Sequence, residues 1–213
     1  MPDLKTIYSA LILPYLNYGL LACGGPLKPK SKYVAFNTGD SSNPIPYTLS
    51  NIYSLQKRAI RIVGKSKSLS HHIPLCSELQ LLDLVDLYKI SALSFFHDSY
   101  HHQLPPAFSH MFDFYYSKNN QLMIKTKYCR TDIASNTLLY TLPLIWNPLD
   151  VSLKKSNSKS KLYFIKQCKN YFINLYKSWY CDTPHCYFCR VYGGKMGSRG
   201  KMGNLRNSGN IYL

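Results

Sequence analysis

The sequence is poor in acidic residues. Only 10 of its 213 residues are Asp or Glu, against 26 Lys or Arg, so the formal net charge at pH 7 is +16. No two Asp residues are adjacent, whereas two-metal phosphoryl transfer needs clustered carboxylates to hold its Mg²⁺ ions. We therefore expect this chain by itself to be non-catalytic. The excess of cations predicts a polyanionic partner, either nucleic acid or an anionic membrane surface.

Other signatures of enzymes and membrane proteins are also missing. There is no Walker loop, no Gly-x-Ser-x-Gly and no Gly-x-Gly-x-x-Gly. The most apolar stretch, residues 7–22, contains Pro14 and Asn17, is too short to span a bilayer comfortably, and lacks a basic n-region. These features predict an intracellular protein, nuclear or cytoplasmic, that does not enter a membrane. Because residues 20–23 resemble a lipoprotein cleavage box, a lipoprotein anchored through Cys23 is a competing hypothesis.

The seven cysteines are odd in number and mostly far apart, which favours a reducing compartment. Cys186 and Cys189 have the spacing of half a zinc knuckle, and Cys181 is a candidate third ligand. A tetrahedral site needs a fourth ligand and no Cys or His follows residue 189, so reduced thiols in a basic tail are the alternative.

The i, i+4 pair His97 and His101 lacks the Glu of a catalytic zinc motif, and we interpret both as polar histidines on a solvated face.

Hydrophobic periodicity predicts a mainly α fold with an irregular middle segment and a disordered basic tail. Five regions are expected along the chain: a helix in residues 1–23 with a kink at Pro14, a linker in 24–49, a helical region in 50–152, a basic amphipathic helix in 153–181, and a Cys-bearing, Gly/Lys-rich tail in 182–213.

The helix predicted over residues 51–63 has two faces. Ser50 is the expected N-cap and Gly64 the expected C′ residue. Its core face is expected to hold Ile52, Leu55, Ala59, Ile62 and Val63, and its cationic face to hold Lys57, Arg58, Arg61 and Lys65.

A second group of cations lies toward the C-terminus. From residue 154 onward the sequence contains 12 Lys or Arg and a single acid, Asp182. With 19 Tyr in the chain, this basic composition suits nucleic acid, since cations meet phosphates and rings stack on bases; for any single Tyr, packing in the core is the alternative. The candidate phosphate-binding residues of this group are Lys154, Lys155, Lys159, Lys161 and Lys166, with Lys169 beside them.

Five segments occur in a recognisable order: LKTIYSALILPYLNYG at 4–19, LQKRAIRIV at 55–63, HIPLCSELQLLDLVDLY at 72–88, LPP at 104–106 and SNTLLYTLPLIWNPL at 135–149. This ordered series resembles the thumb and downstream region of non-LTR (LINE-type, jockey/CR1-like) retrotransposon reverse transcriptases.

The resemblance implies a helical, thumb-like bundle that grips the backbone of RNA or an RNA/DNA hybrid. It also implies that helix 1–23 packs on a palm domain missing from this chain, and that the catalytic Asp pair and its Mg²⁺ belong to that palm. No cofactor is then expected in this chain. The alternative is a free-standing basic RNA-binding protein with a zinc-stabilised C-terminus.

Overall fold

The computed structural model describes residues 3–23, 47–108, 110–128, 130–131, 134 and 137–178. Most of this part of the chain is helical, which confirms the prediction of a mainly α fold. Most of the predicted linker and all of the predicted tail, with Cys181, Cys186 and Cys189, lie outside the described residues.

Helices account for most of the described elements, and one β-hairpin lies among them. The elements are α1 (Leu4–Ile7 and Leu13–Asn17, joined by a π-helical turn at Tyr8–Ile12), α2 (Leu20–Cys23), α3 (Tyr47–Val63), α4 (His72–Leu79), α5 (Leu84–Tyr100), a 3₁₀ turn (Pro106–Phe108), β1 (Phe114–Tyr116), β2 (Leu122–Ile124), α6 (Leu138–Trp146), α7 (Val151–Ser156) and α8 (Lys161–Lys177).

The irregularity of α1 lies in the turn before Pro14. Proline has no backbone N–H to donate to the preceding turn, and the helix is wider there, with π-helical geometry over Tyr8–Ile12. The helix ends at Asn17, with Tyr18 as its C-cap, before Gly19 with φ 65°. Tyr8 is the residue of this helix that is most deeply buried, whereas Tyr15 is 82% exposed.

Helix α3 buries a different face from the predicted one. Leu49, Gln56 and Ile60 are buried, whereas Leu55 and Ile62 are 62% and 66% exposed. The predicted core face was therefore wrong in part: Ala59 and Val63 pack against the core, but Ile52, Leu55 and Ile62 are exposed. The face that packs inward instead contains a polar residue, Gln56. The helix also begins at Tyr47, so the end of the predicted linker belongs to it.

The core forms where α5 packs against α6 and α8, and α4 also packs against α8. Its centre is aromatic: the ring centroids of Phe96 and Trp146 are 4.1 Å apart, and Phe164 of α8 lies against Trp146. All three side chains are fully buried. Helix α8, which carries Lys161, Lys166 and Lys169 of the second cation group, is thus fixed to the core along its inner face.

The hairpin is held at one edge by two side chains that follow one another in the sequence. Trp146 Nε1 donates to Leu122 O (3.0 Å), and Asn147 both accepts from Ile124 N–H (3.0 Å) and donates to Ile124 O (2.9 Å). These are the outward-facing backbone groups of β2, because β2 pairs with β1 through Met123. The Trp-Asn pair thus takes the place of a third strand.

Helices α3, α4 and α5 end in the same way, with a left-handed residue at C′ that is not glycine. For α3, Ser66 N–H donates to Arg61 O and Lys65 N–H donates to Ile62 O, the two bonds of a Schellman motif. The C′ residues are Lys65 (φ 49°), Gln80 (φ 57°) and His102 (φ 54°).

The predicted C′ residue of α3, Gly64, is therefore wrong by one position. A Cβ added to Gly64 would lie 3.2 Å from Leu75 Cδ2 of α4 and 3.3 Å from Ile60 O. Glycine at this position is explained by the close approach of α4 and not by a left-handed backbone.

The substitution Lys65→Gly is expected to raise the free energy of unfolding by about 0.5–1 kcal/mol, because glycine adopts the left-handed conformation without the steric cost of a Cβ. Urea denaturation followed by circular dichroism measures it. Lys65→Ala removes the same charge but keeps the Cβ, so it should give no gain. Equal stabilisation by both variants would attribute the effect to charge instead.

Candidate nucleic-acid interface

The four predicted cations of α3 lie around its C-terminal end but differ in exposure. Arg58 and Lys65 are exposed, whereas Lys57 and Arg61 are half-buried. Burial lowers the pKa of both Lys57 and Arg61. Arg58 and Lys65 are thus the two cations of this group that reach most freely into solvent.

Lys57 and Arg61 also have partners within the protein. Lys57 Nζ lies 4.2 Å from the centroid of the Tyr53 ring, and Arg61 Nε donates to Ser70 O at 2.7 Å. The Arg61 bond ties the end of α3 to the turn that precedes α4. A structural role for Arg61 therefore competes with the predicted role in phosphate binding.

Lys154 does not lie on the protein surface. It is 8% exposed, its Nζ donates to Asn147 O at 2.7 Å, and the same atom lies 3.4 Å from Met123 Sδ. Burial lowers its pKa. The prediction that Lys154 belongs to the basic surface was therefore wrong. The side chain points inward from α7, and its Nζ contacts Asn147 O and Met123 Sδ beside the hairpin.

Lys161 is engaged by a carboxylate. Its Nζ lies 2.5 Å from Asp98 Oδ2 of α5, and this pair joins the first turn of α8 to α5. The charge of Lys161 is therefore balanced locally, and its contribution to the field outside the protein is small.

The remaining predicted cations are exposed. Lys155 lies on α7, Lys159 precedes α8, and Lys166 is on α8. The stretch from residue 151 to residue 181 contains seven Lys and no Asp or Glu, so no acid from this stretch offsets them.

One face of α8 combines these lysines with hydrogen-bond donors. Steps of three, four and seven residues place four exposed side chains of α8 on that face: Tyr163, Lys166, Asn170 and Lys177. Lys159, which precedes the helix and is also exposed, extends this line at its N-terminal end, and we call the five side chains the α8 ridge. Lys159 Nζ lies 4.6 Å from the centroid of the Tyr163 ring. Sequence reasoning missed Tyr163 and Asn170, although their helical spacing from the lysines was available.

His97 and His101 lie beneath the start of this ridge. His97 is 3% exposed, and its Nε2–H donates to Lys159 O at 3.1 Å. His101 Nε2–H donates to Asn157 O at 2.7 Å. The prediction that these histidines lie on a solvated face was wrong, because the loop between α7 and α8 covers them and uses them to satisfy its carbonyl groups.

A buried group of ionisable side chains, also missed from the sequence, fixes the inner face of α8. Asp86 Oδ1 lies 2.6 Å from Lys89 Nζ, and the Tyr176 hydroxyl donates to Asp86 Oδ2. Asp83 N–H donates to the same hydroxyl at 3.2 Å. Burial, followed by the neighbouring carboxylates, raises the pKa of Tyr176. The sequence feature that indicates this buried group is the presence of two acids, Asp83 and Asp86, inside the otherwise apolar residues 81–87.

Asp83 does not cap α5 with its carboxylate. Its Oδ2 instead accepts from the Tyr53 hydroxyl at 3.3 Å, and its Oδ1 lies 3.4 Å from His72 Nε2. Burial and the Asp83 charge raise the pKa of Tyr53. These contacts join α3, α4 and α5 behind the cationic end of α3.

The two described free thiols, Cys76 and Cys168, are buried, and burial raises the pKa of both. For Cys168 the pKa rises from 9.0 to about 12. The folded state thus binds the thiol proton more tightly than the unfolded state does.

Stability should therefore fall at alkaline pH. The contribution of Cys168 to the free energy of unfolding is fully present below pH 9.0 and is lost as the pH rises toward about 12. The loss is about 1.4 kcal/mol per pH unit. Urea denaturation over this range measures the loss, and Cys168→Ala should make it less steep. An unfolding free energy that stays constant across this range would contradict the expectation.

No group of three or more described His, Cys, Asp or Glu side chains is placed to hold a metal ion. The candidate ligands Cys181, Cys186 and Cys189 lie outside the described residues, so the zinc site stays a prediction. Among the helices that the structure describes, none has the length and apolar character needed to cross a membrane.

No protein-family model matches the chain, and neither curated proteins nor solved structures show a significant similarity to it. The resemblance to retrotransposon reverse transcriptases thus rests on the sequence segments alone.

Proposed function

We propose that this chain is a nucleic-acid-binding, thumb-like region of a non-LTR retrotransposon RNA-directed DNA polymerase. In this proposal it binds the phosphate backbone of RNA or an RNA/DNA hybrid and does not itself catalyse polymerisation. The observation that carries the proposal is the α8 ridge, a line of exposed cations and donors in a stretch of 31 residues without an acid.

The dimensions of the ridge suit a nucleic-acid backbone. Helix α8 has 17 residues, so it is about 25 Å long. One strand of a duplex advances by about 3.4 Å per nucleotide, so the ridge spans roughly seven nucleotides. The lysine and amide donors spaced along the ridge then face phosphates of one strand without reading bases.

The structure behind the ridge favours a preformed surface. His97 and His101 bind the carbonyl groups of the α7–α8 loop, and Lys161 pairs with Asp98. Since Lys159 belongs to that loop, its backbone is fixed before any ligand arrives. Little conformational entropy remains to be lost there on binding.

The test compares two double variants of the full chain, each with two charges removed. Lys159→Gln with Lys166→Gln alters the α8 ridge, and Lys5→Gln with Lys67→Gln, in α1 and in the loop between α3 and α4, is the matched control. Binding to a labelled RNA/DNA hybrid is measured by anisotropy at several salt concentrations. The ridge variant should reduce the slope of log K against log salt by about 1.4–1.8, which corresponds to two lost phosphate contacts.

The control variant should bind with nearly the wild-type slope. Equal losses in both variants would show that net charge alone attracts the hybrid, and the ridge would then not be the binding surface. A wild-type chain with no measurable affinity for the hybrid would overturn the proposed function itself.

A further inference from the structure

The β-hairpin has one face toward the core and one away from it. Strand alternation and register place Phe114 and Ile124 on the inner face, where Ile124 is 1% exposed and Phe114 packs against Phe96. Tyr115 and its cross-strand partner Met123 lie on the opposite side of the sheet. Tyr115 is 47% exposed, so a bulky aromatic ring is presented on the outer face.

Lys125 extends this outer face. Its N–H donates to Asp113 O at 2.9 Å, which continues the ladder by one more pair beyond β2 and places Lys125 on the same side as Met123 and Tyr115. The Lys125 side chain is exposed. The outer face thus offers a ring and a cation on diagonal positions of two paired strands, within reach of one nucleotide.

The surroundings have the charge that a polyanion requires. Residues 113–131 contain four cations, Lys118, Lys125, Lys127 and Arg130, and one acid, Asp113, which lies 3.9 Å from Lys127 Nζ. Tyr128, directly after Lys127, is 92% exposed. Exposed rings between cations are the arrangement by which proteins bind unpaired bases and the phosphates between them.

The outer face also borders the elements that lead to the α8 ridge. Lys154 of α7 contacts Met123 Sδ with its Nζ, and the next residue, Lys155, is exposed. On the α7 side of the hairpin, the cation that reaches solvent is therefore Lys155, because Lys154 is buried. An uncharged, apolar partner would gain no electrostatic attraction from this lysine.

We propose that the outer face of the hairpin binds single-stranded nucleic acid, with a base stacked on the Tyr115 ring and a phosphate near Lys125. The inference rests on the proposed function and adds a second surface to it, one for unpaired nucleotides beside a ridge for the duplex backbone. Stacking does not depend on base identity, so little sequence preference is expected.

The test uses the full chain with two probes, a labelled oligouridine and a labelled RNA/DNA hybrid. Tyr115→Ala should weaken oligouridine binding by roughly 5- to 150-fold, the loss expected when one stacked base loses its ring. Tyr115→Phe keeps the ring and should retain the wild-type affinity. Hybrid binding should be unchanged in both variants, and circular dichroism of each checks that the fold is intact.

The possible results separate the two proposals. If the hybrid binds and oligouridine affinity is the same in Tyr115→Ala as in the wild type, the stacking surface is overturned and the ridge stands. The same conclusion follows if Tyr115→Phe loses as much affinity as Tyr115→Ala. If the wild type binds neither probe, the proposed function fails and the stacking surface fails with it.

Discussion

Replacing Gln56 by Ala is expected to lower the free energy of unfolding by about 4 kcal/mol. Gln56 is 1% exposed, and its amide makes three hydrogen bonds. Its Nε2 donates to Leu82 O at 3.0 Å and to the Tyr8 hydroxyl at 3.2 Å, and its Oε1 accepts from Leu84 N–H at 2.8 Å. In the alanine variant the buried Leu82 O and Leu84 N–H lose their hydrogen bonds to Gln56. The substitution also opens a cavity where α1, α3 and the start of α5 meet.

The matched control is the neighbouring residue. Leu55 is larger in apolar area than Gln56 but 62% exposed, so Leu55→Ala should cost no more than about 0.5 kcal/mol. Urea denaturation of both variants, followed by far-UV circular dichroism, gives the comparison. A larger loss in Leu55→Ala than in Gln56→Ala would show that the helix buries the face that its hydrophobic pattern predicts.

This pair of residues shows where the sequence is informative and where it is not. The helix predicted at 51–63 is observed at 47–63, and the region predicted as a basic helix, 153–181, contains two helices, at 151–156 and 161–177. Hydrophobicity alone could not orient the first of them, because a buried Gln looks like a surface residue. Its three partners lie 26 to 48 residues away in sequence, and only the tertiary structure brings them together.

The hairpin lies in the segment that the sequence predicted only as irregular, for the same kind of reason. Each strand has three residues, and β1 is exposed throughout, so there is little alternation to detect. Its stability comes from Trp146 and Asn147, more than 20 residues further along the chain. A side chain that replaces a neighbouring strand leaves no periodic signal.

The candidate interface was predictable in composition but not in detail. The long acid-free stretch identified the basic region, and Lys155, Lys159 and Lys166 are exposed as the hypothesis requires. Lys154 and Lys161 have the same local sequence character, yet one is buried and the other is paired with Asp98. Which lysine of a basic run reaches solvent depends on the packing of other helices around it.

The substitution Asp86→Asn is expected to lower the free energy of unfolding by about 3 kcal/mol. It keeps the shape of the side chain but removes the charge that lies 2.6 Å from Lys89 Nζ, where both side chains are 8% exposed. A buried ammonium group that loses its carboxylate has little water to replace it. The Tyr176 hydroxyl, which donates to Asp86, loses a charged acceptor at the same time.

A surface ion pair provides the control for this effect. Asp113 and Lys127 lie 3.9 Å apart with their side chains 60% and 45% exposed, so Asp113→Asn should change stability by less than about 1 kcal/mol. Equal losses in Asp86→Asn and Asp113→Asn would contradict a role for burial. Thermal or urea denaturation of the two variants under identical conditions is sufficient.

The double variant Asp86→Asn with Lys89→Met shows what the buried pair contributes. If the pair is stabilising mainly because each charge neutralises the other, removing both should cost less than the sum of the two single losses, and the difference is the coupling free energy. Because Tyr176 also bonds to Asp83 N–H, some of the loss should remain in the double variant. That remainder measures the hydroxyl bridge that fixes α8 to α5, and with it the placement of the lysines on the opposite face of α8.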